Sequence, residues 1–217
     1  MPCGCVLLAY LGLSILDGAA RTVSFEMDSW ENASWGLHNF KRVSVVGEVA
    51  ISADGSRRNT IEVRHFTHIL IPAGGGKMSS LYLRPSNSGY TFDDEQRTGF
   101  GGECLCTWKL SLLGSDDARC TKSARSQIQG GIYMGEGQIA GRRVVRYLGR
   151  SEDGREDRIA YAPDLACEVF EEVHVLAGTF GIPATYSRYR VTFYEPGEPP
   201  GSRFRMPAGY TVDTRKP

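Results

Sequence analysis

Val43-Ser-Val-Val-Gly-Glu-Val-Ala-Ile51 decides the fold. Val43, Val45, Val49 and Ile51 recur at even spacing, so they share one face of an extended segment. Asp54-Gly55 follows as a turn, and a second apolar segment runs from Asn59 to Ile71. Two such runs around a short Asp-Gly turn predict a β-hairpin. The pattern repeats outward. Ser79–Leu83 ends at Pro85, and Asn87-Ser88-Gly89 turns into Tyr90-Thr91-Phe92. Gln138–Leu148 reads as a hairpin around Ala140-Gly141, with Val145 and Tyr147 opposite to Val144 and Leu148. Arg158–Ala162, Cys167–Leu176 and Ala184–Tyr194 complete the series. Within Cys167–Leu176 the alternation puts Val169, Val173 and Val175 on one side, and Phe170, Glu172 and His174 on the other. Within the next segment Tyr189, Val191 and Phe193 share a face.

The remaining stretches carry weaker signals. Residues 26–40 mix aromatic and polar types without a clean period, which predicts a short helix or a loop. Pro72-Ala-Gly-Gly-Gly76 predicts a flexible loop. Asp93 to Gly130 is the least regular part, with Trp108–Leu113 as a strand or helical turn and Gly114–Arg125 as loop. No amphipathic helix of 10–15 residues links successive strands, so antiparallel connectivity follows. The expected architecture is mainly β: a curved antiparallel sheet, an open or half barrel, with few short helices. Such a sheet must curl or pack on something to hide one face.

Charge and composition limit the function classes. Lys and Arg total 25, as do Asp and Glu, giving a formal charge of zero. No basic excess points to nucleic acid. Hydrophobic residues make 41% of the 217-residue chain, enough for a real core. Val6–Leu16 is an eleven-residue apolar run followed by Asp17-Gly18-Ala19-Ala20. It reads as a signal peptide over residues 1–20, cleaved after Ala20, with residues 21–217 as a single β-rich domain. No later run reaches 18 apolar residues, so no membrane span is expected after cleavage.

Export implies an oxidising compartment, where disulfides persist. Four cysteines follow the leader: Cys104, Cys106, Cys120 and Cys167. The favoured pair is Cys120 with Cys167, which closes a loop of about 47 residues and contributes roughly 3 to 4 kcal/mol in the chain-entropy model. Cys104 and Cys106, two apart, are then strained into a pair or left free.

The chemistry-bearing motifs fail one by one. Gly74-Gly-Gly-Lys77 lacks the first glycine of a phosphate loop, and Met78 stands where Ser or Thr is needed. No nucleophile elbow occurs. His65 and His68, three apart on a strand, point to opposite faces. His38 and His174 sit in no motif. Asp93-Asp94-Glu95 lacks calcium-loop spacing and reads as a solvated turn. Glu171-Glu172 alternates across a strand. Arg142, Arg143, Arg146, Arg150 and Arg155 interleave with Glu152, Asp153, Glu156 and Asp157, which predicts a surface charge mosaic. Tyr186, Tyr189 and Tyr194 read as core or sheet-face residues. No catalytic residue, metal ligand or cofactor is assigned.

The C-terminal half carries a family resemblance. Its residues are Gly137-Gln-Ile-Ala-Gly141, Val144-Val-Arg-Tyr147, Ile159-Ala-Tyr161-Ala-Pro163-Asp-Leu165-Ala-Cys167, Thr185-Tyr-Ser-Arg188 and Phe204-Arg-Met-Pro207-Ala-Gly209-Tyr210. Over about residues 135–212 they resemble a diffuse group of exported bacterial proteins of unknown function. The ending resembles the last strand of the periplasmic lipoprotein-carrier fold. Tyr161 stands where that pattern usually has Trp. The resemblance implies an unclosed barrel whose concave apolar face holds acyl chains. The leading expectation is therefore an exported, non-enzymatic protein that binds a lipid, another apolar ligand or a cell-envelope protein on a concave sheet face. Two alternatives stand beside it: a hydrolase assembled from His65, His174 and the Asp93 cluster, and a structural or adhesive envelope domain with a flat patch and no cavity.

Overall fold

A computed structural model describes residues 20–32, 40–68, 71–73, 76–103, 131–150, 152, 154–165, 167–176 and 185–214. The expected leader over 1–20, apart from Ala20, lies outside them, as do His38, Trp108–Leu113, Gly114–Arg125 and every cysteine except Cys167. The first seven strands are β1 (Arg21–Asn32), β2 (Phe40–Ile51), β3 (Arg57–His68), β4 (Ile71–Ala73), β5 (Lys77–Leu83), β6 (Ser88–Asp93) and β7 (Thr98–Glu103). The next six are β8 (Ile132–Ile139), β9 (Arg142–Arg150), β10 (Arg155–Ala162), β11 (Glu168–Leu176), β12 (Thr185–Pro196) and β13 (Thr211–Asp213). The described helices are two single turns of 3-10 type, Pro163–Leu165 and Gly201–Phe204.

All thirteen strands join one sheet in the order β13-β7-β6-β5-β3-β2-β1-β12-β11-β10-β9-β8, with β4 paired to β3 beside that path. The sheet is curved and does not close into a barrel. Its pairings are antiparallel except β13 with β7, which is parallel. Each hairpin turn follows its local chemistry. At Ala140-Gly141 both residues have positive φ, 49° and 74°, the geometry a two-residue turn needs to match strand twist. At Asp54-Gly55 the Asp54 carboxylate accepts the Ser56 amide at 2.7 Å and bonds the Ser52 hydroxyl.

The central strand was not foreseen. Residues 26–32 belong to β1, hydrogen-bonded to β2 on one side and β12 on the other. The helix-or-loop reading of 26–40 fails there because the alternation starts earlier: Val23, Phe25 and Met27 face one way, Ser24, Glu26 and Asp28 the other. Phe25 is buried, and its ring lies over Gly47 directly across on β2. A Cβ on Gly47 would sit 2.3 Å from that ring, so glycine makes room for the phenyl group. Ile71–Ala73 is likewise a short strand rather than the start of a loop.

Bulges bend the sheet and redirect side chains. One lies on β11 where its register with β10 shifts between Ala160 and Tyr161. Phe170 is the extra residue. It is 0% exposed and packs with Val23, Ile139, Val144, Ala160, Ala162, Val191 and Tyr194. The expected grouping of Val169 with Val173 and Val175 therefore breaks: Val169 packs beside Tyr161, Cys167 and Val145 instead. A second bulge shifts β12 against β1 between Ser24 and Phe25. It separates Phe193, now exposed, from Val191, and it is Tyr194 that enters the core.

After β12 the chain straps across the first half of the sheet. Gly197 donates to the Ala20 carbonyl at 2.9 Å. Arg203 pairs with Glu48, and Arg58 donates to the Arg205 carbonyl at 3.4 Å. Tyr210 meets Phe92 edge-on at 5.6 Å and donates to Asp94 at 3.0 Å. The ending around Phe204 and Tyr210 is thus a 3-10 turn and a docked aromatic, not a last strand; the strand is β13 beyond it. Phe170→Ala should cost about 3–5 kcal/mol, the usual cost of emptying a buried phenyl site. Urea unfolding followed by circular dichroism measures it, and a loss under about 1 kcal/mol would show that Phe170 is not central to the core.

Candidate functional site

Strands β9 to β12 present two chemically different faces, set by the period of two. The register aligns Leu148, Arg158, Val173 and Arg188 across four strands on one face, with Arg146 and Ala160 in the adjoining row. These residues line an open groove of about 730 Å³. Its floor is apolar, made by Leu148, Ala160, Val173 and Val175, with Met134 and Tyr186 at its ends. Arginines stand among these residues. Glu156 accepts from Arg158 at 2.7 Å and lies 3.4 Å from Arg150. Arg158 beside Glu156 holds that carboxyl below its usual range. Glu171 accepts from Arg188 at 2.9 Å, with Arg190 at 4.0 Å.

The opposite face carries a histidine cluster. His174 Nδ1 lies 2.7 Å from Asp157, and its Nε2 lies 2.8 Å from Glu172. Arg155 donates to the second Asp157 oxygen at 3.2 Å. Glu172 first, then Asp157, raise the imidazole to about 9 against the opposing effect of burial. The ring is therefore a cation at neutral pH, and both nitrogens are committed as donors. It has no lone pair with which to take a proton from a substrate. Beside it Tyr133, Tyr147 and Tyr161 form an edge-on row with centroid spacings of 5.8 and 6.5 Å.

A third feature is structural. Arg21, 1% exposed, pairs with buried Glu168 at 3.3 Å, tying the start of β1 to the start of β11. Burial raises the Glu168 carboxyl, and Arg21 opposes that shift.

The structure brings His174 to Asp157, which sequence reading had assigned to a charge mosaic, and to Glu172, which it had placed on the same side of the strand, and not to the Asp93 cluster. Asp93 sits on β6, with five strands between it and β11 in the sheet order. Its carboxylate accepts the amides of Glu95 and Gln96 at 3.0 and 2.9 Å, which makes it a turn cap. His65 is on β3 opposite Ser44, and the side chains of His65 and His68 lie outside the described residues. Among the described residues, His174 and the Asp93 cluster thus stand on β11 and β6, which are not neighbours in the sheet. Among the described residues no group of three His, Cys, Asp or Glu side chains is placed to hold a metal. Cys167 is buried in the turn just before β11, and its expected partner Cys120 lies outside the described residues. No helix among the described residues is long and apolar enough to cross a membrane. Sequence reading missed the groove. Its signal was there: arginines at 146, 150, 158 and 188 alternate with core residues, so they share a face once the register is known.

No protein-family model matches this chain, and no curated protein matches it in sequence. Several solved structures share part of its shape. An uncharacterized conserved protein from Thermus thermophilus aligns over 88% of this chain and 90% of its own, at 9% identity and TM-score 0.37. MucB aligns over 98% of this chain and 66% of its own, at 12% identity and TM-score 0.45. In a Pseudomonas aeruginosa MucA/MucB complex the figures are 87%, 56%, 13% and 0.42. The chain thus spans between half and two thirds of those two chains. With TM-scores below 0.5, these likenesses bear on no activity.

The histidine cluster makes a pH prediction. A raised folded value means that the stabilisation is fully present below the unfolded value of about 6.5. It is lost as pH rises from there through about 9. The urea midpoint of the native chain should fall over that window, and His174→Gln should remove that part of the slope. An unchanged slope would show that His174 is not clamped by Asp157 and Glu172.

Proposed function

We propose that this chain is an exported binding protein that takes an apolar ligand in the groove across β9–β12. The groove itself carries the reading: an open cavity of about 730 Å³ whose floor is Leu148, Ala160, Val173 and Val175. That volume is within the usual range for small-molecule sites, and an apolar floor gains by excluding water. A flat adhesive face has no such cavity. The clamped imidazolium offers no general base, which weakens the hydrolase alternative. Export rests on the apolar segment Val6–Leu16 and its small-residue end.

An envelope-protein partner has one observation in its favour. Among the described residues strand β8 ends the sheet, and Ile132, Tyr133 and Met134 on it are 59%, 55% and 58% exposed. An extended segment could add to such an edge through main-chain hydrogen bonds.

The ligand reading is tested with the neutral probe N-phenyl-1-naphthylamine. Its fluorescence should rise on titration into the native chain. Val173→Asp, which places a charge on the groove floor, should weaken binding at least tenfold with an unchanged melting curve. No binding by the native chain, or equal binding by the variant, would refute the groove as the site. The export reading also carries the Cys120–Cys167 disulfide. Non-reducing digestion of protein purified from its exported location should give a peptide pair joining those two residues. A link from Cys167 to Cys104 or Cys106 would overturn the pairing.

A further inference from the structure

The groove is not electrically even. Among the described residues that line it, its β9–β10 side has Arg146, Arg150 and Arg158 with one carboxylate, Glu156. On its β12 side Arg188 and Arg190 share Glu171, and Glu26 and Asp28 of β1 lie across from them in register. Among the described lining residues, cations therefore outnumber anions only toward β9–β10, three to one, against one to one on β11–β12. Glu156 cannot satisfy that side. A guanidinium carries five N–H donors, so three present far more than one carboxylate accepts. The Arg150 and Arg158 side chains are 71% and 65% exposed, which leaves those donors in water.

Arg146 is placed differently. Its guanidinium lies against Gly137 of β8, where a Cβ would come within 2.2 Å of Nη1. It donates to the Glu136 carbonyl at 3.4 Å, a long contact, and the Glu136 carboxylate is taken by Arg143 at 2.6 Å. Glycine at 137 thus leaves room for a cation at the groove margin, beside Met134 and across from Ala160.

We infer that the β9–β10 side of this groove binds the oxyanion head of a single-chain amphiphile whose alkyl chain lies along the apolar floor. This rests on the ligand-binding reading above and narrows it. Guanidinium groups match planar carboxylate and phosphate oxygens with paired hydrogen bonds. From β9–β10 to β12, at about 4.8 Å per strand, an alkyl chain has roughly 10 to 14 Å of groove to run along. The carboxylates at the β1 side set the polarity, since an anion is repelled from that end.

The test displaces the neutral naphthylamine probe from the full chain with hexadecanoate, hexadecyl phosphate and hexadecanol, each below its micelle concentration. The two anions should displace the probe at concentrations at least tenfold lower than the alcohol. Arg146→Gln and Arg158→Gln should each cut that preference severalfold while naphthylamine still binds, and raised salt should shrink it. Gly137→Ala should act like Arg146→Gln. Glu156→Gln should enlarge the preference, because it frees Arg150 and Arg158. Equal displacement by anions and alcohol, with naphthylamine bound, would overturn the head-group inference and leave the ligand reading standing. Failure of naphthylamine itself to bind would overturn both. A preference for one anion over the other identifies the head as carboxylate or phosphate.

Discussion

One extra residue on β11 governs the chemistry of this sheet. A strand can serve two faces only by strict alternation, and a single insertion exchanges the faces beyond it. With Phe170 as the bulge, the phenyl ring drops into the core while Glu171, Val173 and Val175 face the groove. Glu172 and His174 are thereby turned to the other side, where Asp157 meets the imidazole. Without the bulge, Val169 would share the groove face with Val173. The apolar cluster holding Phe170 also joins β1 and β12 to β8–β10, so the residue that sets the faces also anchors the bend.

That arrangement explains what was legible in the sequence. Where alternation is unbroken, the residues announced their own structure. Val45, Val49 and Ile51 are each buried, as their spacing implied, and Ala140-Gly141 turns the hairpin. The bulges were not legible. Val169 and Phe193 were assigned by parity, and parity fails one residue past an insertion. β1 was missed for a different reason. Its apolar face starts with Val23 and Phe25, and a reading that begins at Glu26 meets only Met27, Trp30 and the strand's polar residues. The groove was beyond single-segment reading altogether. Arg146, Arg158 and Arg188 are dispersed in sequence, and only the pairing of β9 with β10, β11 and β12 makes them neighbours.

The two faces of β9–β12 solve the same electrostatic problem in opposite ways. On the histidine face, Asp157, Glu172, His174 and Arg155 close into a neutral set at pH 7, each charge met at hydrogen-bond distance. Such a set holds strands in register, with two cations matched by two carboxylates. On the groove face the charges are shared unevenly, with Glu156 between Arg150 and Arg158, and Arg146 met by a carbonyl. Uneven sharing is a poor stabiliser, because exposed ion pairs contribute roughly 0–1 kcal/mol. Its consequence lies elsewhere: donors remain directed into a cavity with an apolar floor.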